Sequence, residues 1–235
     1  MGFTPLQITF FMRTPILLAH PWIHFDGLLA HIILRSEMGE KYYLLPAKQE
    51  VLEIYDILKK TMPLKLVRAN GYEFWSGSVS FFQARILGGA TIYKRFHTRA
   101  IGLTKSRKKR VDIVRGYYKM YAMRLPMIVT KQVVFFACGK RGEIEELLPH
   151  VTGLGKKRVI GWGAVKGFEI TELDTDMSVI TTSGRVMRPV PVRAFTHMEP
   201  EKIDIAKCSY KPPYWWKKNV DICVLPNSKL RNWKL

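Results

Sequence analysis

The chain has 235 residues, 47% of them apolar, which is enough for a full core and excludes an intrinsically disordered or fibrous protein. Lysine and arginine outnumber aspartate and glutamate by 38 to 19, and the pI near 10.0 makes a polyanion the first partner to consider, ahead of an acidic membrane surface. Cys138, Cys208 and Cys223 are odd in number, widely spaced and without a CxxC pair, which argues against a disulfide framework or a structural zinc and fits a reducing cytoplasm.

In chain order, Leu6–Leu18 is rich in β-branched and aromatic residues and reads as a strand, with Pro15 near its exit. The N-terminal region alternates apolar residues with Thr, Arg, His and Pro and never reaches 18 uninterrupted apolar residues, so neither a signal peptide nor a membrane span is expected. From Phe25 the run FDGLLAHIILRSE sets Leu28, Leu29, Ile32 and Ile33 at helical spacing, with Asp26 placed as an N-cap and Gly39 as a stop. A short strand is expected at Tyr42–Leu45. An amphipathic helix follows over 47–61, with Val51, Ile54, Tyr55 and Leu58 on one face, ending before Pro63. Segments 65–70 and 73–86 alternate as strands, Met127–Cys138 is the clearest strand by β-propensity, and 142–150 reads as a short helix. A glycine-rich segment at 152–163 leads into a strand at Ala164–Leu173, and the Pro-rich last sixty residues read as irregular with short strands.

The positive charge is local. Residues 1–60 balance six basic against six acidic groups, residues 61–131 carry fifteen against two, and residues 132–235 carry seventeen against eleven. Within 88–125, Lys94, Arg95, Arg99, Lys105, Arg107, Lys108, Lys109, Arg110, Arg115, Lys119 and Arg124 face one acid, Asp112, and are interleaved with Tyr93, Phe96, Tyr117, Tyr118 and Tyr121. Such a segment can neutralise several phosphates while its tyrosines stack on bases; a solvated loop with its tyrosines in the core is the bland reading.

The sharpest local feature is TGLGKKRVIGWG, residues 152–163. Gly153, Gly155, Gly161 and Gly163 permit close backbone approach and positive φ, and Lys156, Lys157 and Arg158 supply charge beside Trp162. No Gly-Lys-Ser or Gly-Lys-Thr ends it, and it follows a helix and precedes a strand, so it is neither a Walker loop nor a dinucleotide fingerprint. A sugar-phosphate backbone is the ligand such a loop suits; a solvated glycine-rich hairpin is the alternative. His20 and His24 have HxxxH spacing, but His20 and Pro21 fit a turn, and with His31 and His97 they make no HxxxH, HExxH, GxSxG or paired-carboxylate signature of convincing specificity, so no catalytic, metal or cofactor residue is assigned. Trp215, Trp216 and Tyr214, beside Lys217 and Lys218, suit a base or a neighbouring subunit, with at least one tryptophan expected in the core. The tail with Lys229, Arg231, Trp233 and Lys234 is expected to fray or to order on a partner.

The run GLGKKRVIGWGAVKGF (153–168) resembles the glycine-rich loop of the RAMP superfamily of CRISPR-associated proteins, and HFDGLLAHIIL (24–34) resembles the strand-to-helix junction of that superfamily, most closely that of the type IV subunit capping the guide RNA. The resemblance implies an α+β fold with a ferredoxin-like, RRM-like core over about 1–173, a basic thumb-like insertion at 88–125 and a C-terminal extension at 174–235 without a counterpart in the family. It also implies a non-catalytic subunit that holds the 5′ handle of the crRNA beside backbone and large subunits, meeting target DNA only through the complex. Two alternatives stay open: a guide-processing endoribonuclease using His97 or His24 with Tyr117 or Lys105, and a basic structural or ribosome-associated RNA-binding protein.

Overall fold

The computed structural model of the protein describes residues 2–44, 52–83, 85–97, 99, 102 and 111–235. Strands β1 (Thr4–Met12) and β2 (Ile16–Leu17) precede helices α1 (Phe25–Met38), α2 (Lys41–Leu44) and α3 (Leu52–Thr61). Strands β3 (Leu66–Ala69), β4 (Tyr72–Trp75), β5 (Phe81–Gln83), β6 (Ile86–Lys94), β7 (Tyr121–Val129) and β8 (Gln132–Gly139) follow, then α4 (Arg141–Leu147) and β9 (Val165–Glu172). The C-terminal part adds β10 (Val190–Pro191), β11 (His197–Lys202), β12 (Ile205–Ser209), β13 (Val220–Val224) and β14 (Lys229–Lys234).

The main sheet is antiparallel, in the order β5-β8-β1-β9. Alternation along β1 explains its two faces. Leu6, Ile8 and Phe10 are fully buried against a core that includes Leu29 and Ile33 of α1 and Ile144 of α4, whereas Gln7 and Phe11 on the opposite face keep partial exposure. Phe10 and Phe25 both pack on Phe135 of β8, at ring-centroid distances of 5.9 and 5.3 Å. Each such fully buried side chain contributes roughly 1.5–3 kcal/mol of burial free energy.

A second hydrophobic cluster lies in the C-terminal part, where Val186, Val190, Ala194, Cys223, Val224 and Leu230 gather with Ala69 and Phe74 of the β3–β4 hairpin. The fold is thus mixed α/β, with many strands and few helices.

Several local expectations are corrected. Tyr42–Leu45 is no strand: Lys41–Leu44 is helical, while residue 45 and the start of the amphipathic helix at 47–51 lie outside the described residues. Leu6–Leu18 is not one strand but two, parted at Arg13–Pro15, with β1 in the main sheet and β2 beside β7, and Met127–Cys138 is not one strand either. The chain turns at Thr130 and Lys131, where the Thr130 hydroxyl donates to the Gln83 carbonyl at 2.6 Å, so β7 joins the β2-β7-β6 sheet and β8 the main one. Local β-propensity is equally high on both sides of such a break and cannot register it. Segment 73–86 divides at Ser76–Ser80, whose backbone bridges α1, β8 and Met187. The tail does not fray: β14 pairs with β11 in a register that includes Met198↔Trp233. Trp215 is 45% exposed and Trp216 partly exposed, so the tyrosine between them and Pro213, not a tryptophan, reaches inward.

Asp26 is the largest correction. The N-cap of α1 is His24, and Asp26 is fully buried, accepting from Arg188 Nη2 at 3.0 Å and from the Tyr214 hydroxyl at 2.6 Å. Arg188, also fully buried, donates to the carbonyls of Trp75, Gly77 and Tyr210 and lies over the Phe74 ring. Burial pushes the Asp26 carboxyl upward, against the opposing pull of Arg188 and Tyr214. This pair joins the first core, the β4–β5 turn and the C-terminal cluster at one point.

Glu73 forms a second tie. Its carboxylate accepts from Lys59 Nζ at 2.9 Å, the Tyr55 hydroxyl at 2.8 Å and Arg68 Nε at 3.1 Å, and these hydrogen bonds, Lys59 foremost, hold it down to about 2. A depressed carboxylate stabilises the fold at pH values above its ordinary 4.5 and loses that contribution as the pH falls toward 2. Glu73→Gln is therefore expected to lower stability by about 1–2 kcal/mol near pH 6, discounted for solvent screening. Urea titrations at successive pH values should show parent and variant converging near pH 2, and a constant gap down to that pH would contradict this account.

Candidate nucleic-acid interface

The glycine-rich segment folds onto the β1–β2 connection. Lys156 N–H donates to the Leu17 carbonyl at 2.7 Å, Gly163 N–H to the Pro15 carbonyl at 2.8 Å, and Leu154 N–H to the Gly163 carbonyl at 2.8 Å. Thr14 closes the mouth of the loop: its hydroxyl donates to the Gly161 carbonyl at 2.7 Å and accepts from Ala164 N–H at 2.8 Å.

Three of the four glycines serve these contacts. A Cβ on Gly163 would sit 1.8 Å from the Leu154 carbonyl oxygen, one on Gly155 would sit 2.4 Å from that of Leu17, and one on Gly153 would sit 3.1 Å from that of Gly163. Gly161 alone has open space around its Cβ position, at φ +91°. The backbone's close approach is thus mainly to its own chain, and the cations are what the loop turns outward. Lys156 and Arg158 are exposed, Lys157 is left-handed at φ +61°, Val159 is fully exposed and Trp162 is half-buried.

Two clefts flank Arg158. One of about 310 Å³ lies between the loop and the start of α1, lined by His20, Trp22, His24, His31, Lys156 and Arg158 among others. The other, of about 650 Å³, is lined by His31, Arg35, His150, Thr152, Arg158 and Val159. Burial lowers the His31 imidazole below its ordinary value, and Arg158 and Arg35 add to the effect. His24 is lowered further by burial, then by Arg188 and His20; its Nε2 lies 3.0 Å from Trp22 Nε1–H, and its ring stacks 3.9 Å from that of Tyr214. Sequence reasoning missed Thr14, Arg35 and His150, because nothing in their local spacing links them to the loop.

The second predicted element is a two-stranded arm. β6 and β7 pair from Ile86↔Val129 to Lys94↔Tyr121. Lys157 joins loop to arm, donating to the Tyr121 hydroxyl at 3.0 Å and standing over its ring, which lowers that phenol. Lys94 donates to the Tyr117 carbonyl and lies 5.2 Å from the ring centroid, and Arg95 stacks over Tyr93. Tyr117, 83% exposed, abuts Tyr118, which abuts Phe96. Asp112 has a structural task, accepting from the N–H groups of Val114 and Arg115. Arg99, Arg115, Lys119 and His97 are exposed along the same arm; Lys105, Arg107, Lys108, Lys109 and Arg110 lie outside the described residues.

The structure therefore brings Lys94, Tyr117 and Tyr121 together with the 156–158 cations. Among the described residues, no three His, Cys, Asp or Glu side chains converge as a metal site, and no helix is long and apolar enough to cross a membrane.

A chain in the cryo-EM structure of the Type III-B Cmr-beta complex bound to cognate target RNA aligns with a TM-score of 0.41 at 12% identity, covering 73% of this chain and 61% of that one. No curated protein matches significantly. The family model of Csf3, a CRISPR type IV associated protein, matches residues 78–226, which take in the arm, the glycine-rich loop and most of the C-terminal part. The extension expected to lack a family counterpart is therefore largely family sequence, whereas the junction at 24–34 lies outside the match. On that span, well over half its length, the chain belongs to the Csf3 family of CRISPR type IV associated proteins.

Proposed function

We propose that this chain binds the crRNA of a type IV effector ribonucleoprotein and caps its 5′ handle without cutting it. The observation that carries the reading is the join between loop and arm. Lys157 bridges to Tyr121, so Lys156 and Arg158, the clefts along α1 and the basic arm form one cationic surface on which a single strand contacts phosphates and stacks on exposed tyrosine. The main sheet supports it: β1, α1, β5, β8, α4 and β9 in the spatial order β5-β8-β1-β9 suit a ferredoxin-like RAMP core over 1–173, with 88–125 as its thumb-like insertion and 174–235 as its extension. Backbone and large subunits are the protein partners this reading assigns, target DNA is met only through the complex, and the cytoplasm is its location.

Changing Lys156, Lys157 and Arg158 together to alanine is expected to weaken binding of a handle-bearing crRNA by tenfold or more at physiological salt. The log–log salt slope should fall by about 2, at roughly 0.7 per single-strand phosphate contact. Fluorescence anisotropy across a salt series measures both, with circular dichroism reporting the fold. Unchanged affinity and slope would contradict the reading, and cleavage of the RNA by the purified chain would replace it with the endoribonuclease alternative.

A further inference from the structure

The face of the main sheet turned away from the helices carries a cleft of about 510 Å³ that neither the loop nor the arm accounts for. Its floor is β-sheet: Gln7 of β1, Val134 and Phe136 of β8, and Phe81 of β5. Register places them together, because Gln7 pairs with Phe136 and Phe81 with Val134. Phe81 and Phe136 are only half-buried and meet edge to face at 6.0 Å.

The C-terminal part supplies the opposite wall. Arg185 lies 5.1 Å from the centroid of the Phe81 ring, and its guanidinium donates to Asn227 Oδ1. Gln83 and Arg85 stand exposed at the rim, and among the described residues no carboxylate lines the cleft.

We propose that this cleft binds a nucleotide of single-stranded RNA, its base against Phe136 and Phe81, its phosphate on Arg185 and Arg85. The chemistry fits each part of such a ligand. Aromatic side chains on the outer face of a four-stranded sheet are a platform for base stacking. The amides of Gln7, Gln83 and Asn227 offer both donors and acceptors, which match the edge of a base. Guanidinium groups bind phosphate through two parallel hydrogen bonds, and Arg185 is already oriented by Asn227. An acidic peptide would use the two cations but not the paired aromatic rings, whereas a nucleotide uses both, and a lipid surface would not reach into a walled cleft. The inference takes only its choice of polymer from the reading above, since loop and sheet face use different residues.

The test is photocross-linking of the purified full-length chain to a 4-thiouridine-substituted RNA of about 12 nucleotides, with the modified peptides located by mass spectrometry. Cross-links at Phe81 or Phe136, which line this cleft and not those beside the loop, are the expected result. Cross-links confined to the loop and arm would overturn this proposal and leave the loop reading standing, cross-links confined to the sheet face would do the reverse, and none anywhere would overturn both. In parallel, Gln83→Ala combined with Arg185→Ala is expected to weaken binding about tenfold with an unchanged circular dichroism spectrum, including in the background of the loop variant. Unaltered affinity would count against the cleft.

Discussion

Replacing Arg188 by methionine is expected to cost about 3–5 kcal/mol of stability, because it strands the Asp26 carboxyl in a site with no water to solvate it. The substitution removes the ion-pair partner of Asp26 and the donors serving the carbonyls of Trp75, Gly77 and Tyr210, all buried among residues from three parts of the chain. Against the 5–15 kcal/mol that holds a domain together, this is enough to lower the urea midpoint severely. Changing both partners, Arg188→Met with Asp26→Leu, should recover part of the loss, since two apolar side chains leave no buried charge behind. A single-variant loss below about 1 kcal/mol would show that the pair is solvated in solution.

Gly163→Ala is the second large effect, expected to cost about 2–4 kcal/mol or to eject the loop from its seat. The added carbon would lie 1.8 Å from the Leu154 carbonyl oxygen, which itself borders the Leu154–Gly163 hydrogen bond, and φ is +66°. Neither problem can be relieved by a side-chain rotation, because both involve backbone. Gly161→Ala is the matched control: its φ of +91° strains an alanine, yet nothing lies within 4 Å, so about 1 kcal/mol is expected. Thermal melts of the two variants, read beside crRNA affinity, separate a loop that has lost its seat from one that has only lost conformational ease. Equal effects at the two positions would remove the seating of the loop on Thr14–Leu17 as an explanation.

Periodicity carried most of the elements into view. The first part of the opening strand, up to Met12, the helix from Phe25 to the stop at Gly39, the helix ending before Pro63 and the strand after the glycine loop were all legible, because each buries one face with its own period. Elements without that signature were misread. Residues 41–44 are too few to show a period, the break at Thr130 interrupts no change in composition, and Asp26 had the right type and place for a cap while its partners lie 162 and 188 positions away.

The candidate site divides along the same line. That residues 61–131 carry fifteen basic groups against two acids, and that three cations sit among four glycines at 153–163, is written in the sequence and needs no fold to be seen. Tertiary structure decided what those features touch. It spends Gly153, Gly155 and Gly163 on the chain's own backbone, joins loop to arm through Lys157 and Tyr121, and assembles Gln7, Phe81, Phe136 and Arg185 into a cleft that no local pattern announces. The physical reason is range: propensity, period and charge density act over a few residues, whereas sheet register and a buried ion pair are settled by contacts between segments far apart in the chain.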